Sequence, residues 1–349
     1  MDGPLPEADP LIFLGSQKGN VLFFHPMNNK TIAAVALSSR DFSSFAARLE
    51  EARNWVECAA DSGADLIVLP EALNLWRGDG ETGQKALTFE EVALDNWQKD
   101  CSILIEVAAR KRVAVTVPVV TREGKHLTNS FFLVDRDGSV RGRYQKMRPT
   151  VGELEQGVQP GQVSLIEWEG LKIGGAICFD VYFPWVFEKQ AQAGATLILA
   201  PGLTPGGSYL NFFAMHYSLP IVQSYPAWSR IIDLDGRELA QGGYRGETLR
   251  YGFGTPVILA TINFNREAFY ADINQLRMND VQKMYGRRVR ITFDQPNMLF
   301  VVESLDPDLS IQEVIREFGL VPKQAYFRDP EGSYEAEERW NARGIRSAT

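Results

Sequence analysis

The chain has 349 residues, 45% of them hydrophobic and 11% aromatic, which suffices for one large core and excludes bulk disorder. Its net charge of -8, with no run of Lys and Arg, speaks against a nucleic-acid partner, because phosphate binding needs a basic patch. The apolar pieces 11–14 and 21–24 are too short for a bilayer span, and the acidic, Pro-rich start lacks the charged region of a secretory signal, so a cytoplasmic protein with no membrane partner is expected.

Residues 1–29 are a lead segment. Residues 31–37 (TIAAVAL) then read as a buried strand. A helix follows, because Phe45, Leu49, Ala52, Val56 and Ala59 recur at three- and four-residue spacing and Gly63 stands where a helix stops. Residues 64–70 (ADLIVLP) are a second apolar strand, so the order strand, helix, strand indicates a layered α/β fold. A second helix is predicted from Thr88, with Glu91 as its capping-box partner and Leu94, Trp97, Cys101, Leu104 and Ala108 as its stripe. Residues 112–120 form the next strand. Residues 130–134 and 140–144 flank Arg136-Asp137-Gly138 as a hairpin. Residues 171–178 are another apolar strand, followed by a helix that Pro184 opens and Gly194 closes. Residues 196–200, 220–224, 229–232 and 256–263 are further strands, with Asp235-Gly236 marking a second hairpin. Composition shifts near residue 291. Beyond it, 311–318 reads as a short helix, capped by Ser310 with Glu313 and ended by Gly319. The charged end of the chain is expected to be mobile or used in assembly.

Three positions end strands, where layered α/β folds collect functional groups. Glu71 directly follows LIVLP, where a partly desolvated carboxylate can act as a base; a capping or surface glutamate is the plainer alternative. Cys178 ends the Gly-rich strand LKIGGAIC, with Gly174 and Gly175 making room behind it. A thiol at such a junction can be activated and can present the next backbone N–H, that of Phe179, to an oxyanion. The alternative is a small core hydrophobe, the reading that fits Cys101; Cys58 flanks the stripe of the first helix and is expected to be inert. Lys146 and Glu153 say little when read alone. The three cysteines are widely spaced and form neither a disulfide framework nor a Cys-x-x-Cys pair, and His25, His126 and His216 are scattered, so no metal is expected. Of the histidines only His216 is placed near a possible pocket. There is no Gly-x-Ser-x-Gly elbow, no phosphate-binding loop and no dinucleotide fingerprint; Gly252 and Gly254 alone do not make one.

Taken in order, LIVLPEA (66–72), RYQKMRPTVGE (143–153) and GGAICFDVYFP (174–184) resemble the nitrilase superfamily of carbon–nitrogen hydrolases. Gly63-Ala64-Asp65, Asn129 and the span from Gly157 to Gly161 support the likeness, which covers residues 30 to 265. The resemblance implies a four-layer α/β/β/α sandwich and a homodimer or larger assembly. It implies a hydrolase domain over 30–290, with 291–349 as a C-terminal extension used in oligomer contacts. It also implies a catalytic triad of Glu71, Lys146 and Cys178, with Glu153 as a second glutamate, Phe179 N–H and Lys146 at the oxyanion, and no cofactor. Phe179-Asp180 stands where true nitrilases carry Trp-Glu, which implies an amide or N-carbamoyl substrate; a nitrile substrate and a silent binding member of the fold are the alternatives. Tyr182 stands where many small amidases of the family carry Arg. Trp76, Tyr182, Tyr209 and Phe212 are candidate pocket walls, or else core or interface aromatics.

Overall fold

Strands buried on both faces need apolar side chains at every position, and their alternate residues must enter different cores. The first strand does this: Ile32 and Ala34 enter one buried cluster, while Ala33 and Val35 enter another. A computed structural model describes residues 29–37, 42–77, 85–243 and 256–329, together with residue 338. The lead segment before residue 29, His25, Gly252, Gly254 and the tail beyond 329 (residue 338 apart) lie outside the described residues.

Strands β1 (Asn29–Val35), β2 (Leu66–Val68), β3 (Ala114–Glu123), β4 (His126–Val134) and β5 (Val140–Gln145) run side by side, and β12 (Val257–Asn263) joins at the β1 edge to complete a six-stranded sheet. A second six-stranded sheet holds β6 (Ile166–Trp168), β7 (Leu171–Gly175), β8 (Leu197–Pro201), β9 (Ile221–Ser224), β10 (Trp228–Ile232) and β11 (Glu238–Gly243). In each sheet the three central strands are parallel and the outer ones antiparallel. Ile32, Ala34, Leu66 and Val68 share a buried cluster with Ile173, Leu199 and Val222, so the two sheets stack face to face. That approach is close: a Cβ on Gly175 would stand 2.4 Å from the Tyr144 ring.

Helices close the outer faces. Helices Phe45–Asp61 and Ser102–Lys111 press Leu49, Ala52, Val56, Leu104 and Ala108 onto the first sheet. Helices Pro184–Gln192 and Gly207–Tyr217 press Val186, Phe187, Leu210 and Phe213 onto the second. Phe187 and Phe213 stack at 4.5 Å, and removing either ring would cost about 3–5 kcal/mol. The result is the α/β/β/α sandwich. No helix among the described residues is long and apolar enough to cross a membrane.

The structure corrects the sequence reading in several places; the strand expected over 171–178, for one, ends at Gly175. The single helix from Thr88 is three short ones, Phe89–Val92, Trp97–Asp100 and Ser102–Lys111. Tertiary pairing breaks it, because the Leu94 N–H donates to the Val120 carbonyl at 3.0 Å and the Arg122 N–H donates to that of Leu94 at 2.9 Å. The capping box of Thr88 and Glu91 is present. Helix Gly207–Tyr217 is absent from the sequence reading, because its cap residue Gly206 offers no side-chain bond to signal a start.

A third sheet, ordered β13-β15-β14, packs beyond the sandwich: β13 (Arg266–Tyr270), β14 (Val289–Asp294) and β15 (Leu299–Ser304). With helices Ala271–Tyr285 and Ile311–Phe318 it builds its own core from Phe269, Met278, Val302, Val314 and Phe318. Position 290, where composition suggested a division, falls within β14. Ser310 and Glu313 form the expected box.

Candidate active site

Glu71 follows β2 and is 1% exposed; the residue after it, Ala72, has φ 50. Lys146 follows β5 and is also 1% exposed. Glu153 lies on the short helix Val151–Glu155, where its side chain completes a capping box with Thr150 and is buried. These groups meet at one point. Lys146 Nζ donates to Glu71 Oε1 at 2.9 Å and to Glu153 Oε1 at 3.0 Å. Asn129 Nδ2, from β4, donates to the same two oxygens at 2.7 and 2.8 Å. Two donors and two acceptors thus close a ring, and the second oxygen of Glu71 accepts the Leu203 N–H at 3.1 Å.

Cys178 opens a 3-10 turn, Cys178–Tyr182, after β7. Its φ is 50, a left-handed conformation that costs a non-Gly residue of order 1–3 kcal/mol and turns the side chain out of the strand line. Burial pushes its thiol up to about 12, the Glu71 carboxylate pushes the same way, and Lys146 and the Leu203 amide oppose them. Its sulfur lies 3.8 Å from Thr204 Oγ1. Burial pulls the Lys146 ammonium down, but Glu71, Cys178 and Glu153 together overcome this and hold its pKa above the ordinary lysine value. Burial raises the Glu153 carboxyl, and Lys146, the Thr150 amide and Asn129 together more than offset it, leaving it below the usual range.

Asp180 is wholly buried one residue past Phe179 and ties the loop of Cys178 to the segment after Lys146. It accepts the N–H groups of Ile177 and Arg148 at 2.9 and 2.6 Å and the Tyr144 hydroxyl at 3.0 Å. Burial lifts its carboxyl to about 6 against those bonds. Sequence reasoning missed the roles of Asp180, Leu203 and Thr204. Asp180 had a signal, as the polar residue between Phe179 and Val181 in a buried turn; the other two had none.

Of the candidate pocket aromatics, Tyr182 shares the turn that Cys178 opens and packs on Phe179 at 5.9 Å. Tyr182, Tyr209 and Phe212 are large exposed side chains, joined by a Tyr182–Tyr209 edge contact at 5.6 Å. Phe212 stacks on His216 at 5.2 Å on the outer helix. Trp76 carries the Arg77 guanidinium at 5.2 Å from its ring centre. Among the described contacts none of these five reaches Glu71, Lys146, Glu153 or Cys178. Phe179 packs on Phe183 at 5.0 Å. Cys101 is fully buried and Cys58 exposed.

The model of the carbon–nitrogen hydrolase family matches residues 31–271. The chain is 26% identical over 215 residues to a citrullinase of Francisella tularensis, covering 59% of this chain and 69% of that one. It is 27% identical over 202 residues to a 2-oxoglutaramate amidase of Bacillus subtilis, covering 52% and 74%. Among solved structures, an amidase from Nesterenkonia sp. superposes with TM-score 0.57 at 19% identity, covering 69% of this chain and 93% of the other. Nit3 of Saccharomyces cerevisiae, a nitrilase-superfamily member, superposes with TM-score 0.55 at 18% identity, covering 68% and 90%. A sandwich of this layering, matched by the family model over more than half its length, belongs to the carbon–nitrogen hydrolases of the nitrilase superfamily.

Proposed function

We propose that this protein hydrolyses the carbon–nitrogen bond of a small amide or N-carbamoyl compound through a thioester on Cys178. The observation that carries this reading is the closed ring of Glu71, Lys146, Glu153 and Asn129 beside a cysteine in left-handed backbone. A thiol pushed up to about 12 by burial is not an anion at neutral pH, so attack needs a base in place. Glu71 is that base: it takes the thiol proton as Cys178 Sγ bonds to the carbonyl carbon. The developing oxyanion is met by Lys146 and the Phe179 N–H. Lys146 Nζ has three protons for Glu71 Oε1 and the two oxygens of Glu153, at 3.0 and 2.8 Å, so one shared between the Glu153 oxygens frees another for the substrate. Glu71 then returns the proton to the departing amine as the C–N bond breaks. Water, deprotonated by Glu71, attacks the thioester and releases the acid and the free thiol.

Glu153 and Asn129 hold Lys146 and Glu71 in register and stay unchanged. Phe179-Asp180 after the cysteine favours the amide or carbamoyl class over a nitrile. The catalytic unit is the sandwich of the two six-stranded sheets, and the part that follows, built on β13, β14 and β15 and spanning the expected boundary at 290, serves contacts between copies in a homodimer or larger assembly. Ammonia release from amides, N-carbamoyl amino acids, ureides and nitriles tests the reading with wild type beside Cys178→Ala. Release from an amide or carbamoyl compound that vanishes in the variant is expected. Release from nitriles alone would replace the substrate class, and release that survives Cys178→Ala would overturn the thioester.

A further inference from the structure

The loop after β8 reaches the site through main-chain atoms. Its Leu203 N–H bonds Glu71 and also faces the Cys178 sulfur, and Thr204 lies beside that sulfur. The loop's start is anchored by the Gly202 N–H on the Ser224 carbonyl at 2.9 Å, but its far end is loose by sequence: Gly206 and Gly207 both have positive φ, at 64 and 54, a conformation that glycine adopts freely and therefore leaves freely. The restraint comes from behind. Gln223 on β9 and Arg230 on β10 are register partners, 1% and 9% exposed. Gln223 Nε2 donates to the carbonyls of Thr204 at 3.2 Å and Pro205 at 2.7 Å. Arg230 Nη2 donates to those of Pro205 at 3.0 Å and Gly207 at 2.9 Å. Its Nη1 donates to Asn211 Oδ1 at 2.9 Å and Glu238 Oε1 at 3.2 Å, and its Nε to Gln223 Oε1 at 3.0 Å. All five guanidinium protons are used, so the fork admits one arrangement of the loop.

We propose that Arg230 and Gln223 are positioning residues that clamp the 202–207 loop, so that the Leu203 amide is held between Glu71 and Cys178. They act from the helix-covered side of the second sheet. A loop carbonyl released there lets the amide retreat, and the nucleophile and its base lose a shared donor. This rests on the thioester reading for its effect on turnover, but not for its effect on Cys178 itself.

The test uses the full chain with Gln223→Glu, Arg230→Lys and Arg230→Met. Gln223→Glu keeps the acceptor for Arg230 and removes both donors to the loop. Turnover should fall about 10²-fold in kcat, the scale of a misplaced reacting pair, while KM moves less than kcat. Arg230→Lys, which can still reach a loop carbonyl, should recover part of the loss that Arg230→Met suffers. Iodoacetamide labelling at pH 8, read on the Cys178 peptide by mass spectrometry, should slow in the same order; Glu71 and Lys146 are the charged groups that face the sulfur throughout. Ser310→Ala serves as the control for general loosening, since it weakens a helix outside the sandwich. If Arg230→Met does not fold, Gln223→Glu decides alone. Unchanged kcat and unchanged Cys178 labelling in folded Gln223→Glu would overturn the clamp. A wild type without turnover would instead sink the thioester reading, with the labelling order still deciding the clamp.

Discussion

Among the described residues two lysines are buried, and their surroundings shift them in opposite directions. Lys146 is 1% exposed in the sandwich and Lys323 is 6% exposed where the C-terminal helix Lys323–Arg328 meets helix Gly207–Tyr217. Lys146 faces two carboxylates, and its pKa is held above the ordinary value. Lys323 donates to the carbonyls of Met215 and His216, and burial pulls it down to about 8 although Glu267 opposes this. Burial alone thus says little about charge. A full carboxylate repays desolvation where a carbonyl dipole does so only in part. The first arrangement keeps a cation ready for chemistry. The second pins one end of the helix that follows the clamped loop, at a helix C-terminus where a cation complements the dipole.

The contrast is broken most severely at Lys146. Lys146→Met leaves Glu71 and Glu153 facing each other with the Asn129 amide alone between them, and should cost about 3–5 kcal/mol by chemical denaturation. In the fraction that folds, kcat should fall by about 10²–10³, the scale of one lost oxyanion donor. Lys323 gives a smaller effect of definite sign. Held at about 8 instead of 10.5, it binds fewer protons in the folded chain than in the unfolded chain across that window. Stability contributed through Lys323 therefore rises as pH climbs from 8 to 10.5, by up to about 2–3 kcal/mol. Denaturation midpoints at both pH values should show this rise in wild type and not in Lys323→Met. Asn129→Leu comes next. It removes one donor from each carboxylate and should cost about 1–3 kcal/mol, with kcat falling more than KM rises. Ser310→Ala is the smallest, about 1 kcal/mol from a lost cap, with kcat unchanged.

Much of the sandwich was legible from residue order. The apolar runs 31–37, 64–70 and 196–200 overlap β1, β2 and β8, and the helix from Phe45 ends before Gly63 as its stripe required. Capping boxes read correctly at Thr88 and Ser310, because a box is a contact between near neighbours in the chain. The helix predicted through Leu94 failed for the opposite reason. Its periodicity was sound, but β3 offered the Leu94 backbone two hydrogen bonds from distant residues, and tertiary pairing outranks propensity. The pocket walls were not legible in the sequence, since an aromatic residue type suits core, interface and pocket alike.

By itself the sequence determined many of the strands and helices of the sandwich, which chemistry-bearing residues stand at or just past strand ends, and which family the chain resembles. All of these depend on periodicity and on neighbours a few residues apart. Only the tertiary structure decided that Lys146 reaches Glu71 across 75 positions, that the Leu203 amide reaches it across 132, and that Arg230 stands behind the loop that carries this amide. Such contacts arise when two sheets close over one core, and a single chain pattern admits many closures until the buried donors and acceptors select one.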